Sequence, residues 1–217
     1  MDKKFATVQI IKQQRLLPLF YHDDVLTCIA VTKALYNAGI RCIEFTNRGG
    51  NALKNFTAMM EVRDTTMPEL PLGIGTISME AEALLFIDAE ADFLVSPFFD
   101  SGIFDIACKH KILWMPGCTT PTEIHTAKKR GCTFIKLFPG NILGPGFAEA
   151  TLPLFTGIDC MLSGGVDASE KNLNAWFNAG VAAVGMCSKL ITKDILRNGD
   201  YDLLIQQTKE MLAIISR

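Results

Sequence analysis

Apolar residues in this chain gather into short, mostly uninterrupted runs rather than alternating with polar ones. The runs are "LLPLFY" (16–21), "CIEFT" (42–46), "LPLGIGT" (70–76), "DFLVSP" (92–97), "ILWMPG" (112–117), "TFIKLFP" (133–139), "DCMLSGG" (159–165) and "VAAVG" (181–185). Continuous runs of this length predict parallel strands covered on both faces, because a half-exposed strand alternates. The segments between them carry helix punctuation. "DDVLTCIAVTKALYNAG" opens on an aspartate pair and stops at Gly39. The aspartates can accept from the first free N–H groups, and the glycine lets the chain turn out of the helix. "TPTEIHTAKKRG" offers Thr120 as N-cap, Pro121 at the first helical position, Glu123 for a capping box and a basic last turn before Gly131. "SEKNLNAWFNAG" ends in the same way at Gly180, and "SMEAEALLFIDAEA" and "FDIACKHK" predict two more helices.

Eight strands alternating with helices predict an α/β fold, a (β/α)8 TIM barrel. "MDKKFATVQIIKQQ" adds an amphipathic helix ahead of the first strand. The competing architecture is an open doubly wound sheet. "GIGTIS" lacks the third glycine of a dinucleotide fingerprint, so nothing further supports it. No low-complexity linker interrupts the pattern, and the expectation is one domain over 1–217.

Composition changes the picture mainly by exclusion. Of 217 residues, 49% are hydrophobic and 20% charged, enough apolar material for a sizeable core. A net charge of −2 gives no electrostatic case for nucleic acid or an anionic membrane as partner. No apolar run approaches the roughly 18 to 20 residues of a membrane span. The N-terminus lacks the apolar core of a signal peptide. The seven cysteines include no CxxC pair, and an odd number cannot all pair within the chain. Reduced, mostly buried thiols in a cytoplasmic protein are expected. Asn55-Phe56-Thr57 spells a glycosylation acceptor, but no secretion signal accompanies it.

Barrel active sites form at the C-terminal ends of the strands. The side chains placed there are Glu44, Thr46 and Arg48, then Thr76, Ser96, Pro97 and Thr119, then Lys136, Ser163 and Ser188. Lys136 stands out, because Phe134, Ile135, Leu137 and Phe138 surround it in sequence. Burying an unpaired ammonium is costly, so an apolar site favours the free amine, a nucleophile toward ketones. The structural alternatives are an ion pair with Glu44 or a lysine head that snorkels to water. Glu44 sits among apolar neighbours in "CIEFT" and suits either a proton shuttle or that same pair. Arg48 offers a planar fork for a carboxylate, and Thr76 a hydroxyl. "LSGGVD" ahead of a helix matches the barrel's phosphate arrangement, with glycine N–H groups and a helix N-terminus as donors. His22, His110 and His125 show no metal-ligand spacing, and no metal site is expected.

The ordered motifs "IEFTNRG", "LGIGTI", "FLVSPFFD", "MPGCTTPTEIHTAKKRGCTFIKLFPG" and "LSGGV" cover nearly the whole chain. Through them the chain resembles the class I bacterial aldolases of 2-keto-3-deoxy-6-phosphogluconate (KDPG) and 4-hydroxy-2-ketoglutarate (KHG). The resemblance implies that Lys136 is the Schiff-base lysine of a "K-x-FP" motif and Glu44 the proton shuttle. It makes Arg48 and Thr76 binders of the pyruvate carboxylate, and Pro97, Thr119 and Phe138 pocket walls. Ser163, Gly164, Gly165 and Ser188 become the phosphate end. It further implies a cytoplasmic homotrimer without metal or organic cofactor, serving the Entner–Doudoroff pathway. KDPG cleavage would give pyruvate and glyceraldehyde 3-phosphate; KHG cleavage would give pyruvate and glyoxylate. The chain departs from the family pattern at Tyr21, where arginine is frequent, at Met186 and Cys187, where glycines are frequent, and at Ser163, where threonine is common. Two other functions remain open on the residues alone. One is a phosphosugar isomerase or epimerase, the other a non-catalytic phosphometabolite-binding barrel.

Overall fold

The computed structural model describes residues 3–216. The strands are β1 (Leu16–Phe20), β2 (Ile43–Thr46), β3 (Leu72–Gly75), β4 (Phe93–Val95), β5 (Leu113–Met115), β6 (Gly117–Cys118), β7 (Phe134–Leu137), β8 (Asp159–Ser163) and β9 (Ala183–Met186). They form one parallel sheet in the order β5-β4-β3-β2-β1-β9-β8-β7-β6. Each of the eight apolar runs contains a strand, and the fifth is divided by Pro116. Proline has no N–H to give a ladder, so pairing changes partner there. Before it, Met115 faces Val95 of β4; after it, Gly117 faces Lys136 of β7. The Lys136 N–H donates to the Pro116 carbonyl at 2.8 Å. The run 113–118 thereby joins the two edges, and the sheet is a nearly closed α/β barrel.

The helices are α1 (Lys3–Gln14), α2 (Val25–Asn37), α3 (Ala52–Thr66), α4 (Glu80–Asp88), α5 (Ser101–Lys109), α6 (Pro121–Arg130), α7 (Gly140–Thr151), α8 (Glu170–Asn178), α9 (Lys193–Asn198) and α10 (Tyr201–Ile215). The caps read from the sequence hold. Asp24 accepts from the Thr27 N–H, Thr120 and Glu123 form a capping box, and Gly131 ends α6 at φ 99°. Helices α3, α7, α9 and α10 were not among those read from the sequence, although Thr192 and Asp200 cap α9 and α10 with their side chains and Gly199 ends α9 at φ 66°. Asn51 precedes α3 without a side-chain cap bond, and Gly144-Pro145 kinks α7, with Gly144 at φ 71°. Asn55 of the glycosylation-like triplet is buried in α3 and donates to the carbonyls of His22 and Asp23. It is a packing residue that ties down the loop after β1.

The core has two shells. Ile43, Phe45, Leu72, Ile74, Ile135, Leu137 and Leu162 pack outward against the helices. Leu17, Cys42, Phe93, Met115, Phe134, Met161 and Ala183 fill the barrel interior, and Ile11 of α1 joins them. Burial on both faces is why the strand segments read as continuous apolar runs. Helix α1 buries Ile11 but leaves Phe5 exposed, so its apolar residues do not form one stripe.

Candidate active site

Period-two alternation decides which side chains enter the barrel. The interior residue Cys42, just ahead of β2, is followed two positions later by Glu44 on that strand; on β7, Phe134 is followed by Lys136. Both ionisable side chains are therefore carried inward, above the apolar floor, and are 1% and 6% exposed. Space for the carboxylate comes from Gly75 on β3, where a Cβ would overlap Glu44 Oε1. Burial pushes the Glu44 carboxyl above its ordinary value, while the charges of Lys136 and Arg48 pull it down.

Neither Glu44 oxygen has a hydrogen-bond partner among the described residues. Among the described residues no hydrogen bond or ion pair reaches the Lys136 amine either; its Nζ lies 5.0 Å from the centroid of the Phe138 ring. The structural alternative, a Glu44–Lys136 pair, is not formed. Leaving a buried carboxylate unsatisfied costs on the order of 1–3 kcal/mol or more. Such a cost is characteristic of sites completed by a ligand.

The remaining predicted residues ring this pair at the strand ends. Arg48 is exposed, and its charge acts on Glu44 and on the Cys187 thiol. Thr76 adopts φ 64°. This is the left-handed region, which a β-branched residue occupies only when its surroundings impose it. They do so here. The Asn47 N–H donates to the Gly75 carbonyl at 2.8 Å, and the Ile77 N–H to the Val95 carbonyl at 3.1 Å. Thr119 donates its hydroxyl to the Phe138 carbonyl at 2.7 Å, and its N–H to Glu123 at 2.8 Å. The Phe138 ring in turn rests against Gly164. The Pro97 carbonyl packs on Gly117, a position with no room for a side chain.

At the expected phosphate end, Ser163 is buried and Gly164 and Gly165 have φ 89° and 76°. The Gly164 carbonyl accepts from the Asn141 N–H at 2.9 Å. Helix α8 begins where the sequence predicts it: residues 166–168 follow the glycines, and Ser169 caps the helix with its own hydroxyl. Ser188 is exposed. Of the departures, Tyr21 lies on Gly49 with its hydroxyl given to Asp23. Cys187 is part of the site mouth, where burial pushes its thiol up against the opposing pull of Arg48.

Sequence reasoning did not single out Gly75 or Glu82, and named Cys187 only as a departure from the family pattern. Only the "GIG" pair carried a signal, as glycines in an otherwise bulky strand. A cavity of about 600 Å³ between α1, α5 and the N-terminal strand ends is lined by Phe104, Trp114 and Cys132 and contains none of the predicted residues. Among the described residues no three His, Cys, Asp or Glu side chains converge as a metal-binding group, and no helix is long and apolar enough to cross a membrane.

Residues 7–207 match the family model described as "KDPG and KHG aldolase". The chain belongs to the KDPG and KHG aldolase family. It is therefore a carbon–carbon lyase. The 2-dehydro-3-deoxy-phosphogluconate aldolase of Treponema pallidum is 25% identical over 209 residues, 95% of this chain and 96% of that protein. The KHG/KDPG aldolase of Escherichia coli K12 is also 25% identical over 209 residues, 95% of each chain. The KDPG aldolase of Legionella pneumophila, solved with pyruvate captured as a covalent carbinolamine, superposes with TM-score 0.85 at 20% identity, covering 94% of this chain and 97% of that one. That likeness establishes the fold of this aldolase; the orphaned pair inside the barrel bears on its chemistry.

Proposed function

We propose that the chain is a Schiff-base aldolase that splits a 2-keto-4-hydroxy acid into pyruvate and an aldehyde. The observation that carries this reading is the buried Glu44 carboxylate and the buried Lys136 amine, neither with a hydrogen-bond or ion-pair partner among the described residues. On this reading the space between them is filled by the substrate.

The Lys136 amine attacks the ketone carbon of the substrate. The carbinolamine loses water to give an iminium, a stronger electron sink than the ketone. Arg48 and Thr76 hold the carboxylate and so fix the reacting geometry. Glu44 takes the proton of the 4-hydroxyl. The bond between carbons three and four breaks, its electron pair becomes the enamine double bond, and the aldehyde departs. Protonated Glu44 returns its proton to carbon three, and water hydrolyses the resulting iminium to pyruvate and free Lys136. Proton transfer by a positioned group contributes about 10²–10⁴-fold. The cycle closes without a cofactor.

The first substrate on this reading is KDPG, giving glyceraldehyde 3-phosphate, with KHG as the second. Relatives named for phosphogluconate cleavage support it, as do the left-handed glycines Gly164 and Gly165 after β8. Ser163, Gly164, Gly165 and Ser188 would receive the distal group, and Pro97, Thr119 and Phe138 would wall the pocket. We read residues 1–217 as one catalytic domain of a cytoplasmic homotrimer, by analogy with the family. The test is reduction with borohydride in the presence of pyruvate. A single adduct on Lys136, absent in Lys136→Ala together with all pyruvate release from KDPG, is expected. An adduct on another lysine, or none in the folded wild type, overturns the proposal.

A further inference from the structure

Helix α4 is capped in an unusual way. The position before its first turn is Met79, whose side chain has no oxygen to accept from a free N–H group. Glu82, in the first turn, takes over. Its Oε2 accepts from the Ser78 N–H at 2.8 Å, the Ser78 hydroxyl at 3.0 Å and the Met79 N–H at 3.2 Å. A glutamate acting only as a cap would leave its second oxygen to water. Here Oε1 accepts from the Asn47 side-chain amide at 3.0 Å, across to a different loop.

Asn47 adjoins Arg48, and residues 78 and 79 follow Thr76 and Ile77. One carboxylate thus fastens the loop that carries Arg48 to the loop that carries Thr76. The Asn47 N–H bond to the Gly75 carbonyl, at 2.8 Å, makes the second tie between the same loops. The Arg48 guanidinium has no hydrogen bond or ion pair among the described residues. No such bond anchors its head, so the reach of the guanidinium toward Glu44 and Cys187, on which its charge acts, starts from where its backbone is held. A loss of about 1 Å in such positioning can cost as much as a hundredfold.

We propose that Glu82 is a positioning residue of this aldolase, setting the distance between the two groups that grip the pyruvate carboxylate. The proposal rests on the assignment of Arg48 and Thr76 to that carboxylate. Glu82 touches no substrate atom; it acts through Asn47 and the β3–α4 turn.

The test follows pyruvate saturation of borohydride trapping on the full chain, together with thermal melting. Glu82→Ala and Asn47→Ala should each raise the half-saturating pyruvate concentration about tenfold, with the trapping rate at saturation within about twofold of wild type. The double variant should be no worse than either single one, because both remove the same tie. Met79→Asp combined with Glu82→Ala supplies a new cap without the link to Asn47. It should recover the melting temperature but leave half-saturation raised. Recovery of both together, or an unmoved half-saturation in Asn47→Ala, overturns the proposal and reduces Glu82 to a helix cap. A wild type that forms no adduct on Lys136 overturns the Schiff-base reading and this proposal with it; a normal wild-type adduct with unmoved variants overturns this proposal alone.

Discussion

Glu44 and Lys136 are buried in the same barrel interior, 1% and 6% exposed, and do not pair with each other. A structural ion pair would close the gap, because a buried charge gains most from direct contact. The separation is what a site needs if a substrate is to stand between a nucleophile and a base.

Glu44→Gln should separate the two roles. Pyruvate trapping on Lys136 persists, since amine attack does not require the carboxylate, while turnover falls by about 10²–10⁴. Normal turnover removes Glu44 from the proton path.

Burial disfavours the ionised carboxyl and raises Glu44 above its ordinary value, against the pull of Lys136 and Arg48. The base form is lost as pH falls through that raised value. The acid limb of kcat/KM should therefore lie above the ordinary glutamate pKa of about 4.3, and should vanish from the residual activity of Glu44→Gln. A pH–rate series on both proteins measures it.

Gly75→Ala places a methyl group where Glu44 Oε1 lies. The carboxylate must move or the strands must part, at a cost of about 1–3 kcal/mol. Urea denaturation should show that loss, and kcat should fall at least about tenfold with pyruvate trapping retained. Unchanged kcat means the glycine serves packing only.

Arg48 is assigned through its fork, so charge alone should not replace it. Arg48→Lys should raise the half-saturating pyruvate concentration about tenfold and Arg48→Ala about a hundredfold. Equal values for the two variants contradict a bidentate contact.

Thr76 holds φ 64°, where asparagine is better tolerated than a β-branched residue. Thr76→Asn should raise stability by about 0.5–1 kcal/mol in urea denaturation while weakening pyruvate binding. Stability gained without loss of binding shows that the strain serves no carboxylate.

Legibility differed from residue to residue. Lys136 and Glu44 were readable because an ion among apolar neighbours is a local contradiction visible in five residues. The capping role of Glu123 was readable from "TPTE", but its bond to the Thr119 N–H, and through Thr119 to Phe138, was not. Glu82 gave no signal, because its partner Asn47 is a strand and a helix away. The helix after the glycine pair was readable from "SEKNLNAWFNAG", whose Ser169 is its N-cap. Helix α7 was hidden by its own Gly144-Pro145 kink.

By itself the sequence determined the strand runs, the helix caps and the two ions committed to apolar strands. These rest on interactions a few residues long, which the chain encodes locally. Only the tertiary structure decided that the two ions face one interior and leave each other unpaired. Strands β2 and β7 are not neighbours; β1, β9 and β8 lie between them in the sheet. Their relation is set by the register of every intervening pair and by the partner change at Pro116, a sum of long-range contacts that no short window contains.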